Sequence, residues 1–199
     1  MIEKSNRLKG KDQVTIGIFA AIYFVLSFLS NVSGGIHPIL WIMSPIVAAL
    51  LGATPYMLAV SKVKKPLAIL MLGIIVGFIY FITGQFPYTV PIGFIIGAII
   101  AEIIRYKTKY DSFWANALGF SFFSMGMAGS PLPLWIYRES FIAQILEYGM
   151  SQEYVNSLES IVSPSMLVVM IVSTFFAGLF GALLSRKIFK KHFNKVGIV

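Results

Sequence analysis

The sequence predicts an all-α polytopic membrane protein: a six-helix transmembrane bundle with both termini in the cytoplasm. Three observations carry this. The 199 residues are 57% hydrophobic and only 12% charged, about half the charged share of a soluble domain. So little charge does not cover a globule of this size in water. A crossing helix takes about 20 residues, so the length allows at most six or seven crossings, organised as one transmembrane domain over residues 1–199. The third observation is the charge map. Of the 16 basic residues, all but Arg138 fall into four blocks. Lys4, Arg7, Lys9 and Lys11 form the first, Lys62, Lys64 and Lys65 the second, and Arg105, Lys107 and Lys109 the third. Arg186, Lys187, Lys190, Lys191 and Lys195 form the last. Loops rich in Lys and Arg stay cytoplasmic during insertion. Four blocks on one side require two crossings between each block and the next, which gives six helices.

The apolar segments supply them. The first helix is expected over 14–30 and the second over 39–60, where Pro45 and Pro55 mark kinks. The third covers 67–83, the fourth 91–104, the fifth 113–130 and the sixth 165–184. The fourth is short for a hydrocarbon layer of about 30 Å. The opening residues MIEKSNRLKGKDQ are too polar for the core of a signal peptide, so the apolar run after them reads as a retained first crossing. The outer connections are uneven: 31–38, the compact GQFPYTV of 84–90, and a long loop over 131–164. That loop holds four of the eight acidic residues, Glu139, Glu147, Glu153 and Glu159. Phe141, Ile145 and Tyr148 have the spacing of one face of a short amphipathic helix, and Tyr154, Leu158 and Ile161 that of a second.

Small residues recur every four positions: Gly17 with Ala21 (Ala20 beside them), Gly73 with Gly77, Gly93 with Gly97 and Ala101, and Ala177 with Gly181. In lipid such faces let helix backbones approach closely. Internal packing accounts for most of them, whereas the face on the first helix also suits a partner protein. Polar groups at membrane depth are few. Glu102 lies three residues before Arg105, which reads most simply as a local ion pair and alternatively as a proton or ion site.

The outer half gathers His37, Trp41, Gln85, Tyr88, Trp135, Tyr137, Arg138 and Glu139 from three connections. They are the candidate substrate-binding residues. Trp and Tyr stack on or enclose a flat ligand, and an Arg forks onto a carboxylate or phosphate. The plainer reading is an interfacial aromatic belt, with Arg138 paired to Glu139 or to lipid headgroups. Enzyme signatures are missing: no cysteine, no HExxH, no GxSxG elbow and no phosphate-cradling glycine loop. No catalytic residue, resident cofactor or metal site is expected. The basic ends call for no nucleic-acid partner, because membrane orientation already accounts for them.

Several segments carry a family resemblance: the opening VTIGIFAAIYFVLSF, the Pro-bearing second helix, FITGQ, IAEII and the closing KKHFNKVGI. Together they resemble the Trep-Strep family of bacterial integral membrane proteins over nearly the whole chain. That family is grouped with the substrate-binding S components of energy-coupling factor (ECF) transporters. The resemblance implies a micronutrient-capturing subunit of the bacterial cytoplasmic membrane. It also implies a pocket under the loops after helices 1, 3 and 5, and partners comprising a transmembrane coupling protein and two ATPase subunits that use ATP. S components dock through small residues on helix 1, often Ala-x-x-x-Ala; the matching positions here are Gly17 and Ala21, the first a departure that keeps the residue small. A stand-alone secondary carrier, with Glu102 as its coupling site, and a membrane scaffold remain the alternatives.

Overall fold

The computed structural model describes residues 7–84 and 87–192, and among these every regular element is helical. α1 spans Gly10–Val32, α2 Pro38–Lys62, α3 Ala68–Thr83, α4 Thr89–Lys107 and α5 Phe113–Ser124. The short α6 (Pro133–Ile136), α7 (Arg138–Glu147) and α8 (Gln152–Ile161) follow, and α9 runs over Pro164–His192. Gln85 and the closing segment from Phe193 onward lie outside the described residues.

Local chemistry sets several of the ends. His37 caps α2, its Nδ1 accepting from the Ile39 N–H at 3.2 Å, with Pro38 at the first helical position. Ser112 caps α5 by accepting from the Ala115 N–H at 3.3 Å. α3 begins after Leu67, which is held at φ 65° and offers no side-chain cap. Its first N–H groups are instead taken up from another helix: Glu102 Oε1 accepts from Ile69 N at 2.6 Å and Leu70 N at 3.4 Å. A carboxylate suits the positive end of a helix dipole. Pro45 and Pro55 both sit inside the continuous α2.

Four helices are long and apolar enough to cross a membrane: α1, α2, α4 and the Pro164–Phe189 part of α9. The other two expected crossings are shorter. α3 is an apolar helix of 16 residues. α5 stops at Ser124 after 12 residues and continues as a 3-10 turn over Met125–Gly129. Close backbone approach explains the change. A Cβ on Gly126 would come within 2.6 Å of the Phe94 ring, and one on Gly129 would strike the Thr89 carbonyl, so the tightened turn lies directly on the start of α4. α4 itself runs 19 residues, longer than its apolar stretch, because Tyr106 and Lys107 extend the helix beyond the apolar limit. α9 likewise continues past residue 184 through its basic residues. Apolarity measures the lipid-compatible part of a helix, not where hydrogen bonding stops.

Helices α1 to α5 and α9 close into a ring: α1 packs on α2, α2 on α9, α9 on α5, α5 on α4, α4 on α3 and α3 back on α1. Inside is an aromatic core. Tyr23 meets Phe94 and Phe123 edge-on at 5.8 and 5.2 Å, and Tyr56 lies against Phe120 and Phe123. The outside is inverted relative to a soluble protein. Val14, Ile18, Val25 and Leu29 of α1, Phe78 and Ile82 of α3, and Phe176 and Phe180 of α9 are all exposed. So continuous an apolar surface is stable against acyl chains and not against water.

The two ends of the ring differ. At one end the basic blocks meet. Lys65 donates to the Arg7 carbonyl and pairs with Asp12, Lys64 pairs with Asp111, and Arg186 lies over the Phe113 ring at 4.5 Å. The bond from Lys64 holds the Asp111 carboxyl below the usual carboxylate range. Arg105 is fully buried there, bonded to Glu102 (3.1 Å), Asn116 Oδ1 (3.0 Å) and the Val63 carbonyl (3.2 Å). The expected i,i+3 pair is therefore present, as part of a junction tying α2, α3, α4 and α5 together.

Candidate functional site

At the opposite end, the connections after α1 and α3 and the long segment between α5 and α9 enclose a cavity of about 260 Å³. Its walls include Asn31, Gly34 and Gly35 from the first connection, Trp41 from α2, and Pro87 from the second. Ser130, Phe141, Gln144, Ile145, Tyr148, Met150 and Tyr154 come from the third. Among the described residues no charged side chain lines it.

The floor is a hydrogen-bonded chain. Asn31, at the polar end of α1, accepts on Oδ1 from Ser44 (3.3 Å) and from Ser130 (3.2 Å), and Ser130 accepts from Trp41 Nε1 at 3.1 Å. Three separate elements thus fix one another's side chains. The Trp41 ring stacks on Phe141 with 5.6 Å between centroids and 10° between planes, which presents a flat aromatic wall. The far wall is tied down by Tyr154, whose hydroxyl donates to the Gly34 carbonyl at 2.9 Å and whose burial raises its pKa above the ordinary tyrosine value. The segment carrying that wall is anchored by a second apolar cluster in which Phe141 and Leu158 are buried against Ile42, Ala128 and Met170. Of the expected faces of α7 and α8, Phe141 and Leu158 turn inward and are buried, joined by Val155, while Tyr148 caps the end of α7 and is largely exposed.

Of the candidate binding residues, the structure places Trp41 in the wall. His37 is exposed and spends Nδ1 on its helix cap. Tyr88 is 70% exposed and lies against Phe81. Trp135 packs in the second cluster and donates Nε1 to the Ser163 carbonyl at 2.9 Å, which positions α9 rather than the cavity. Tyr137 precedes α7 at the surface, and Glu139 is exposed in its first turn. Arg138 lies outside the cavity walls and pairs with Glu159 at 3.0 Å, not with Glu139. Both partners of that bond are well exposed. Arg138→Ala is therefore expected to change stability by less than about 1 kcal/mol, as measured by thermal unfolding in detergent.

Asn31, Ser130, Gln144 and Tyr154 were not singled out as binding residues from the sequence. Asn31 carries a usable signal, an amide just past the apolar run of α1; Ser130 carries none, since it reaches the floor only through the 3-10 turn. Of the small face on α1, Ala20 is fully buried in the core, which removes it from any partner surface. Gly17 has open space where a side chain would stand, and Ala21 is exposed. Among the described residues no three His, Asp or Glu side chains come together as a metal cluster.

A closed ring of helices, apolar on the outside and split between a basic end and a cavity-bearing end, defines a multi-pass integral membrane protein. The chain belongs to the Trep_Strep family, described as hypothetical bacterial integral membrane proteins, whose model matches residues 10–195. It is accordingly a multi-pass protein of the bacterial cell membrane. No curated protein and no solved structure matches it.

Proposed function

We propose that this protein is the substrate-capturing subunit, or S component, of an ECF-type importer. It takes a small micronutrient into the cavity from outside. It then delivers the molecule by docking on a membrane coupling protein driven by partner ATPases. In this reading α3 and the extended α5 also cross the bilayer, giving six crossings with the basic end and both termini in the cytoplasm. The chain does no chemistry itself and carries no cofactor, and ATP is used by the partners.

The observation that carries the reading is the convergence of all three connections opposite the basic end on one cavity, at the end away from the buried Glu102–Arg105 junction. The cavity is mostly apolar, with a few convergent polar groups, as small-molecule sites are. A stand-alone carrier would need a carboxylate that exchanges protons or ions, and Glu102 spends Oε1 on Arg105 and the start of α3.

The test is purification from the native host in mild detergent, followed by native mass spectrometry. A coupling protein and two ATPases in the complex are expected; a chain that never associates with them overturns the reading in favour of a carrier or scaffold. Gly17→Leu sharpens it. The open space at Gly17 means that leucine fits the isolated fold, while its bulk blocks close helix approach by a partner. Recovery of the coupling protein is expected to fall at least tenfold at unchanged thermal stability; equal recovery would remove α1 as the docking face.

A further inference from the structure

We infer that the cavity takes an organic cation with a flat, apolar body, an assignment that rests on the capture reading and names the ligand's chemistry. The surroundings of the cavity carry net negative charge. The segments 31–38 and 84–90 contain no Lys, Arg, Asp or Glu at all, and the segment 131–164 contains one Arg against four Glu. That Arg is consumed by Glu159. Glu139, Glu147 and Glu153 are exposed and have no basic partner among the described residues. Two of these carboxylates adjoin wall residues in sequence: Glu147 precedes Tyr148, and Glu153 precedes Tyr154. The cavity end is therefore acidic while the other end of the bundle is strongly basic. A field of this sign draws cations toward the cavity mouth and repels carboxylates and phosphates.

The wall itself suits a cation better than an anion. An anion needs positive charge or free donors, and the walls offer neither in quantity. The Trp41 N–H is spent on Ser130, the Ser130 hydroxyl on Asn31 and the Tyr154 hydroxyl on Gly34. What remains is mostly ring surface, from Trp41, Phe141, Tyr148 and Tyr154, with the neutral Gln144 amide, which donates to the Tyr148 hydroxyl at 3.3 Å, as the main polar exception. Aromatic faces carry negative quadrupole potential and hold organic cations, with Trp the strongest. The flat Trp41–Phe141 stack favours a planar or ring-bearing body. An anion clamp at Arg138 is one of two readings of the sequence; in the structure Arg138 is paired with Glu159 and lies outside the cavity walls.

The test uses the full chain in detergent and three planar probes of one size: benzamidinium, benzamide and benzoate, followed by calorimetry and tryptophan fluorescence. The cation is expected to bind about tenfold tighter than benzamide, in line with a desolvated cation–π contact, and benzoate weakest. Glu147→Gln with Glu153→Gln should lower the cation's affinity roughly two- to threefold and flatten its salt dependence. Trp41→Phe should keep the order of the probes while weakening the cation. Benzamide or benzoate binding as tightly as the cation overturns the inference and leaves the capture reading standing. Failure of all three probes also overturns the inference; the capture reading falls with it only if the chain carries no small molecule from its host and never associates with a coupling protein and ATPases.

Discussion

Glu102→Ala is expected to destabilise the bundle by about 3–5 kcal/mol. Arg105 has no exposed surface, and Glu102 is its ion-pair partner. Removing the carboxylate leaves a guanidinium buried with only neutral acceptors, Asn116 Oδ1 and the Val63 carbonyl. It also leaves the first N–H groups of α3 without their acceptor. Glu102→Gln keeps an acceptor oxygen for those N–H groups and loses only the charge, so its cost is expected to be clearly smaller. Unfolding in detergent followed by circular dichroism measures both, and similar losses for the two variants would show that charge dominates over the cap. The same pair separates the functional readings. Ligand affinity that survives in Glu102→Gln is expected of a capture subunit, whereas a secondary carrier using Glu102 would lose coupled transport with its fold intact.

Trp41→Ala is expected to weaken capture by about 30-fold or more, the effect of losing a central aromatic anchor worth about 2 kcal/mol. The side chain does three things at once. Its face is the cavity wall, its ring stacks on Phe141, and its N–H completes the floor through Ser130 and Asn31. Alanine removes the wall and loosens α7 from α2 at the contact where Phe141 is buried. Trp41→Phe keeps a ring against Phe141 but loses the donor and the larger indole face, so it should weaken the affinity much less than alanine does. Uptake of the host's own ligand, or fluorescence titration through the remaining tryptophans, distinguishes the two. Full affinity in Trp41→Ala would place the binding site elsewhere.

Membrane residence, helical class and the grouping of basic residues at one end were all legible from composition and charge. They depend on transfer free energies and insertion bias, which are properties of residues one at a time. The helical faces of α7 and α8 were legible too, because periodicity is local; Phe141 and Leu158 turn inward as their spacing requires. Helix limits were less so. α5 ends early because Gly126 and Gly129 let a 3-10 turn settle on α4, a long-range contact with no apolar signature.

The binding residues divided along the same line. The sequence determined that aromatic and polar side chains collect in the three connections, and Trp41 among them lines the cavity. Which side chains face the cavity was decided by tertiary contacts. Arg138 was the conspicuous candidate because its charge stood apart in the sequence, yet Glu159, 21 positions later, neutralises it at the surface. Asn31 and Ser130, 99 positions apart, form the floor together. Gly17 and Ala21 share a face of α1 with Ala20 beside them, and the packing of the helix buries Ala20 and leaves Ala21 exposed. A residue's type fixes what it can bond; only the folded ring decides which partner lies within 3–4 Å of it, and so which groups are spent on structure and which remain for a ligand.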